Sequence, residues 1–143
     1  MEAALATYNK FQDFTEQLIE GIHDFDAHTF KVYLTNNAPS ASADAVIADL
    51  AEISAGNGYT AGGTATSITT SETTGTAKVV GTDVVFTASG GSIGPFQYAV
   101  FYNDTSASDN LIAWWDYGSA VTLSTGETFT VDFDATNGIF TLA

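Results

Sequence analysis

The chain has 143 residues, enough for one domain with a sizeable core. It carries 17 Asp and Glu against three Lys (Lys10, Lys31, Lys78) and no Arg, for a net charge of −14. Nucleic acids and anionic lipids recruit Lys and Arg to neutralise phosphate, so this composition argues against both as partners.

With 45% hydrophobic and 13% aromatic residues, the acidity is not that of a disordered chain. The absence of Cys excludes a disulfide framework, a thiolate metal site and a Cys nucleophile. The N-terminus MEAALATYNK lacks the basic flank and apolar run of a signal peptide, so a protein made and folded in a cytoplasm is expected. The runs YAVFY (98–102) and LIAWW (111–115) are too short to span a bilayer as helices.

The first element expected is a helix within 3–25. Leu5, Tyr8, Phe11, Phe14, Leu18, Ile22 and Phe25 recur every three or four residues and make one apolar stripe, and Gly21 ends or frays it. From Thr29 the period becomes two, beginning with FKVYL (30–34). A second short helix is expected over 44–50, with Ser42 or Asp44 as its N-cap, followed by the loop SAGNGYTAGGT (54–64). Strands rich in Thr, Val, Tyr and Phe are expected near 66–71, 75–80, 82–88, 96–103, 111–117, 120–123, 127–133 and 139–142. DATNG (134–138) is expected to turn the last two into a hairpin.

Alternation puts Phe96, Tyr98, Val100 and Tyr102 on one face of their strand, and Gln97, Ala99 and Phe101 on the other. It likewise puts Phe129, Val131 and Phe133 opposite Thr128, Thr130 and Asp132. The pattern predicts a mainly β protein: an antiparallel β-sandwich or jelly-roll-like domain over 29–143, preceded by an N-terminal amphipathic helix or arm over 1–28.

Several motifs invite catalysis. Gly90, Ser92 and Gly94 spell the G-x-S-x-G nucleophile elbow. That elbow needs a helix after the serine and a His later in the chain, whereas Pro95 and FQYAVFYN read as a strand, and His23 and His28 lie far upstream. Gly56, Gly58 and Ala61 match G-x-G-x-x-A, but the TAGGTATSITTS that follows cannot form the helix whose N-terminus meets a pyrophosphate.

HDFDAH (23–28) offers His and Asp as metal ligands, at a junction rather than at the i, i+4 spacing of a helical pair. Asp132 and Asp134 open like a calcium loop but lack its glycine register and closing Glu, and as paired carboxylates they also suit glycosidase chemistry. With 17 acids such pairs arise by chance, and exposed edge charge that discourages strand aggregation is the default reading. Asn103-Asp104-Thr105 is a glycosylation sequon. No catalytic, cofactor or metal residue is assigned. Trp114 and Trp115 face opposite ways on a strand; one suits the core, and the other suits sugar stacking, a partner or a second layer.

The segments TFKVYLTNNAP (29–39), ADLAEISAGNGYTAGG (48–63), TASGGSIGPFQYAVFYNDT (87–105) and LIAWWDYGSAVTLSTGETFTVDF (111–133) resemble a family of small tailed-bacteriophage virion proteins. The resemblance runs from the KFQDF segment to the final hairpin. It implies a non-enzymatic structural protein of the virion, a head decoration (cement) protein on the outer face of the major capsid protein lattice. The implied assembly is a closed homo-oligomer, a trimer by analogy with other decoration proteins. Tyr8, Phe11, Phe14, Leu18, Trp114 and Trp115 are the candidate interface residues. The alternatives are a tail component (tube, tip or fibre-associated) and a host-carbohydrate-binding module.

Overall fold

The computed structural model describes residues 6–143. The chain is mainly β, and its sheets are antiparallel, consistent with a β-sandwich. The larger sheet has the order β1-β8-β7-β2-β3, from Asn9–Lys10 (β1), Phe30–Thr35 (β2), Thr64–Thr66 (β3), Ile93–Asn103 (β7) and Leu111–Leu123 (β8). Facing it are two small sheets. One has the order β10-β5-β4, from Ile68–Thr73 (β4), Thr76–Gly81 (β5) and Phe140–Leu142 (β10). The other pairs Val84–Thr87 (β6) with Thr128–Val131 (β9).

Strand β2 shows why the layers form. Phe30, Val32 and Leu34 point into the main core between the sheets, and Tyr33 points the other way into a smaller core with Phe11, Leu50, Val100, Tyr102 and Leu111. Both faces of this central strand are thus covered, which suits its near-continuous apolar sequence. Across the main core, Phe96 meets Phe129 at 4.9 Å between ring centroids, and Phe101 meets Phe133 at 6.1 Å, both edge to face. On β9 and beyond, Phe129, Val131 and Phe133 are buried, while Thr128 and Asp132 are exposed, as alternation requires.

Four expectations are corrected. The helix α1 covers only Asp13–Ile19, so of the expected stripe only Phe14 and Leu18 lie on it. Asn9 and Lys10 instead pair with Trp114 and Ala113 of β8, and Phe11 N–H donates to Ile112 O at 3.0 Å, so sheet bonding takes the backbone groups a longer helix would need. Seven residues do not hold a helix alone. What anchors this one is Phe14, 3% exposed, whose ring packs edge-on to Phe140 (5.3 Å) and Phe25 (6.3 Å). Leu5 of the stripe lies outside the described residues.

The expected hairpin at 134–138 is a crossover. β9 pairs with β6, whereas β10 pairs with β5 in the other small sheet. The turn itself forms: Asp134 Oδ1 accepts from Thr136 N–H (2.8 Å) and Asn137 N–H (2.9 Å), and Gly138 N–H donates to Asp134 O. Ile139 N–H then donates to Val79 O at 2.7 Å, which carries the chain into the neighbouring sheet.

Phe96 lies on the opposite face from Val100 and Tyr102, because the β7–β8 register shifts between Phe96 and Tyr98. Tyr98 pairs with Asp116 but Phe96 with Val121, so Tyr117–Ala120 bulge out of β8 and the alternation resets. At 44–50 only a single 3-10 turn forms, over Ile47–Asp49. Asp49 Oδ2 accepts from the N–H groups of Ala45 (2.8 Å) and Val46 (3.0 Å), and Asp44 turns back to Ser40 N–H.

Candidate functional site

The motif serine sits where no elbow exists. Ser92 is exposed, and the next residue begins strand β7 rather than a helix. The flanking Gly94 is required by packing: its φ is +119°, and a Cβ there would lie 2.6 Å from Val121 O. Ser92 O accepts from the Asn57 side chain at 3.0 Å, which ties this turn to the 54–64 loop. In that loop, Gly58 adopts φ +99° and lies so close to the Thr87 carbonyl that any Cβ would overlap it. The G-x-G-x-x-A match therefore reflects loop-on-strand contact, and the chain continues into strand β3.

Both histidines meet at Asn103. The Asn103 amide nitrogen lies 3.2 Å from His23 Nδ1, 2.9 Å from His28 Nδ1 and 3.2 Å from Ile22 O. His23 Nε2 lies 3.0 Å from Gln17 Oε1. If Nε2 carries the proton, it donates to Gln17, while Nδ1 accepts from Asn103. Burial first, and then the charge of His28, pushes the His23 imidazole down to about 4. Asn103 Oδ1 accepts from Thr105 N–H and Ser106 N–H. Asn103 is fully buried, so the sequon is a structural hub, and HDFDAH joins α1 to the end of β7. Among the described residues no group of three or more His, Asp or Glu is placed to hold a metal ion.

Of the expected interface residues, Phe11 and Phe14 are covered by the chain's own cores. Tyr8, Leu18, Trp114 and Trp115 are half-buried. The two tryptophans face opposite layers: Trp114 packs on Phe11 at 4.6 Å in the smaller core, and Trp115 packs on Tyr8 (6.0 Å) and Phe133 (5.5 Å) beside the main core.

Trp115 borders a cleft of about 760 Å³, where the second layer divides into its two sheets. Gln97, Ala99, Trp115 and Tyr117 contribute from the larger sheet, Val80–Asp83 from the end of β5 and the β5–β6 connection, and Thr130–Ala135 from β9 and the turn after it. Tyr117 rests edge-on to Phe129 at 5.6 Å. Burial pushes the Tyr8 hydroxyl up to about 12, keeping it neutral at the cleft edge. Asp83 Oδ1 accepts from Phe133 N–H at 2.9 Å. Asp134 has both oxygens committed to its turn, which holds its carboxyl below the usual range; Asp132 is exposed at the cleft. The sequence drew attention to Trp115, Asp132 and Asp134 but not to Asp83, Gln97 or Tyr117. The available signal was the i, i+2 relation of Trp115 and Tyr117 on one strand.

No protein family, curated protein or solved structure matches the chain.

Proposed function

We propose that this chain is a structural protein of a tailed-bacteriophage particle, acting by adhesion as a decoration protein on the outer face of the capsid lattice. The observation that carries the reading is the use made of the side chains that chemistry would need. His23 and His28 converge on the buried Asn103, Asp134 holds a turn, and Ser92 stands at the start of a strand. These groups support a rigid, jelly-roll-like sandwich, and the N-terminal apolar stripe is folded back onto it. Such a unit is complete before assembly.

A charge of −14 favours a position outside the shell, away from packaged DNA. Ile19 (85% exposed) and the half-buried Leu18 and Trp114 supply apolar surface for capsid or subunit contacts, in a closed trimer. Imaging of particles carrying a label at the C-terminus tests the proposal. Signal over the whole head, with heads that rupture at lower temperature when the protein is missing, supports decoration. Signal confined to the tail refutes it.

A further inference from the structure

The cleft between the sheets has a chemical character that the decoration role does not use. Its volume of about 760 Å³ falls within the roughly 300–1,000 Å³ range of small-ligand sites. Aromatic rings lie along one side. Trp115 and Tyr117 are two residues apart on β8, and edge-to-face contacts with Phe133 and Phe129 fix their planes. Polar groups line it too: Asp83 and Asp132 from the second layer and Gln97 from the larger sheet, with threonine hydroxyls. Asp83 commits one carboxylate oxygen to Phe133 N–H, and Gln97 gives its amide N–H to Asp116 Oδ1 at 3.0 Å. The second Asp83 oxygen, the Asp132 carboxylate and the Gln97 carbonyl are thereby left as acceptors.

Among the described residues no Lys or Arg lines the cleft, so the charge of Asp83 and Asp132 disfavours a phosphate, sulfate or carboxylate there. An alkylammonium would satisfy the carboxylates, but it brings donors only and would leave the hydroxyls of Thr69 and Thr130 without an acceptor from the ligand. Sugar hydroxyls both donate and accept, and the C–H faces of a pyranose suit aromatic rings.

We propose that this cleft binds a short neutral oligosaccharide, with Trp115 and Tyr117 as its stacking faces and Asp83, Asp132 and Gln97 accepting hydrogen bonds from its hydroxyls. The site stands independently of where the protein sits on a particle.

An array of neutral glycans, followed by NMR titration of the full-length chain with the best-bound glycan, tests the assignment; sialyllactose and spermine serve as the anionic and cationic probes. The expected result is saturable binding of at least one neutral glycan, with shifts at the Trp115 indole and at Gln97 and no shift at the Trp114 indole. Asp132→Ala changes an exposed side chain and leaves folding intact; it should weaken that binding at least tenfold, as should Trp115→Ala. Binding of no neutral glycan, shifts mapping outside the cleft, unchanged affinity in Asp132→Ala, or saturable binding of spermine or sialyllactose in place of the neutral glycan would each overturn the proposal.

Discussion

Replacing His23 with Gln should remove much of the protein's loss of stability between pH 7.5 and pH 5. In the folded chain His23 is 5% exposed, lies between Gln17 and Asn103, and has its imidazole pushed down to about 4. An unfolded histidine titrates near 6.5. The folded value lies below the unfolded one, so between about pH 4 and 6.5 the unfolded chain binds more protons and stability rises with pH. The contribution is complete above about 6.5, declines as pH falls through that window, and is exhausted below about 4. At pH 5 most unfolded molecules carry the proton and few folded ones do, a difference worth about 2 kcal/mol. For a chain of this size that is a fall in Tm of roughly 4–8 °C.

The physical cause is local. Protonation puts an N–H on Nδ1, facing the Asn103 amide, so two donors oppose each other inside a cage closed by the Phe14 and Phe25 rings. Asp49 and Asp134 are held low by backbone N–H groups and stay ionised at pH 5, while Asp109, raised by burial and then by the charge of Asp104, acts with the opposite sign. The informative quantity is therefore the difference between parent and His23→Gln in urea unfolding at the two pH values. NMR titration of the His23 ring supplies the second readout. A midpoint of 6 or above, or the same pH dependence in the variant, would refute the reasoning.

The remaining predictions concern stability and are read by urea or thermal unfolding. Tyr33→Phe should leave stability unchanged or raise it by about 1 kcal/mol, because the buried Tyr33 hydroxyl has no hydrogen-bond partner among the described residues. Tyr59→Phe should do the reverse and cost about 1.5–3 kcal/mol, since that hydroxyl donates to Glu52 Oε1 at 2.7 Å and accepts from Leu34 N–H at 3.0 Å. Phe14→Ala should cost about 3–5 kcal/mol if α1 is fastened to its own sandwich; a change under 1 kcal/mol would mean that the ring is not buried there in solution. Gly58→Ala should cost at least about 2 kcal/mol, from the Thr87 carbonyl overlap and the positive φ together.

What could be read from the sequence, and what could not, divides along the reach of the interactions. Strands β2, β4 to β7, β9 and β10 fall close to their expected positions because alternation and Gly- or Asn-rich turns are encoded within a few residues, whereas β3 begins in the expected loop and β8 runs through two expected strands. The errors at the N-terminal helix, the last turn and Phe96 involve pairing with a distant partner, whereas the helix expected at 44–50 gives way to local capping by Asp44 and Asp49. The apolar stripe from Tyr8 to Phe25 has helical spacing, but β8 claims the backbone of residues 9–11, and a periodicity of side chains cannot register competition for N–H groups a hundred positions away. DATNG makes a tight turn as its composition demands, yet whether that turn joins paired strands depends on β5 and β6 competing for the chain on either side. Asn103 shows the same limit at the level of chemistry. Alone it reads as a sequon; in the fold it satisfies the backbone at Thr105 and Ser106 and contacts two histidines from the N-terminal segment. The cleft follows the same rule. Trp115 and Tyr117 come from one local pattern, but Asp83 and Asp132 arrive from the β5–β6 connection and the end of β9, so the site exists only because the second layer divides there.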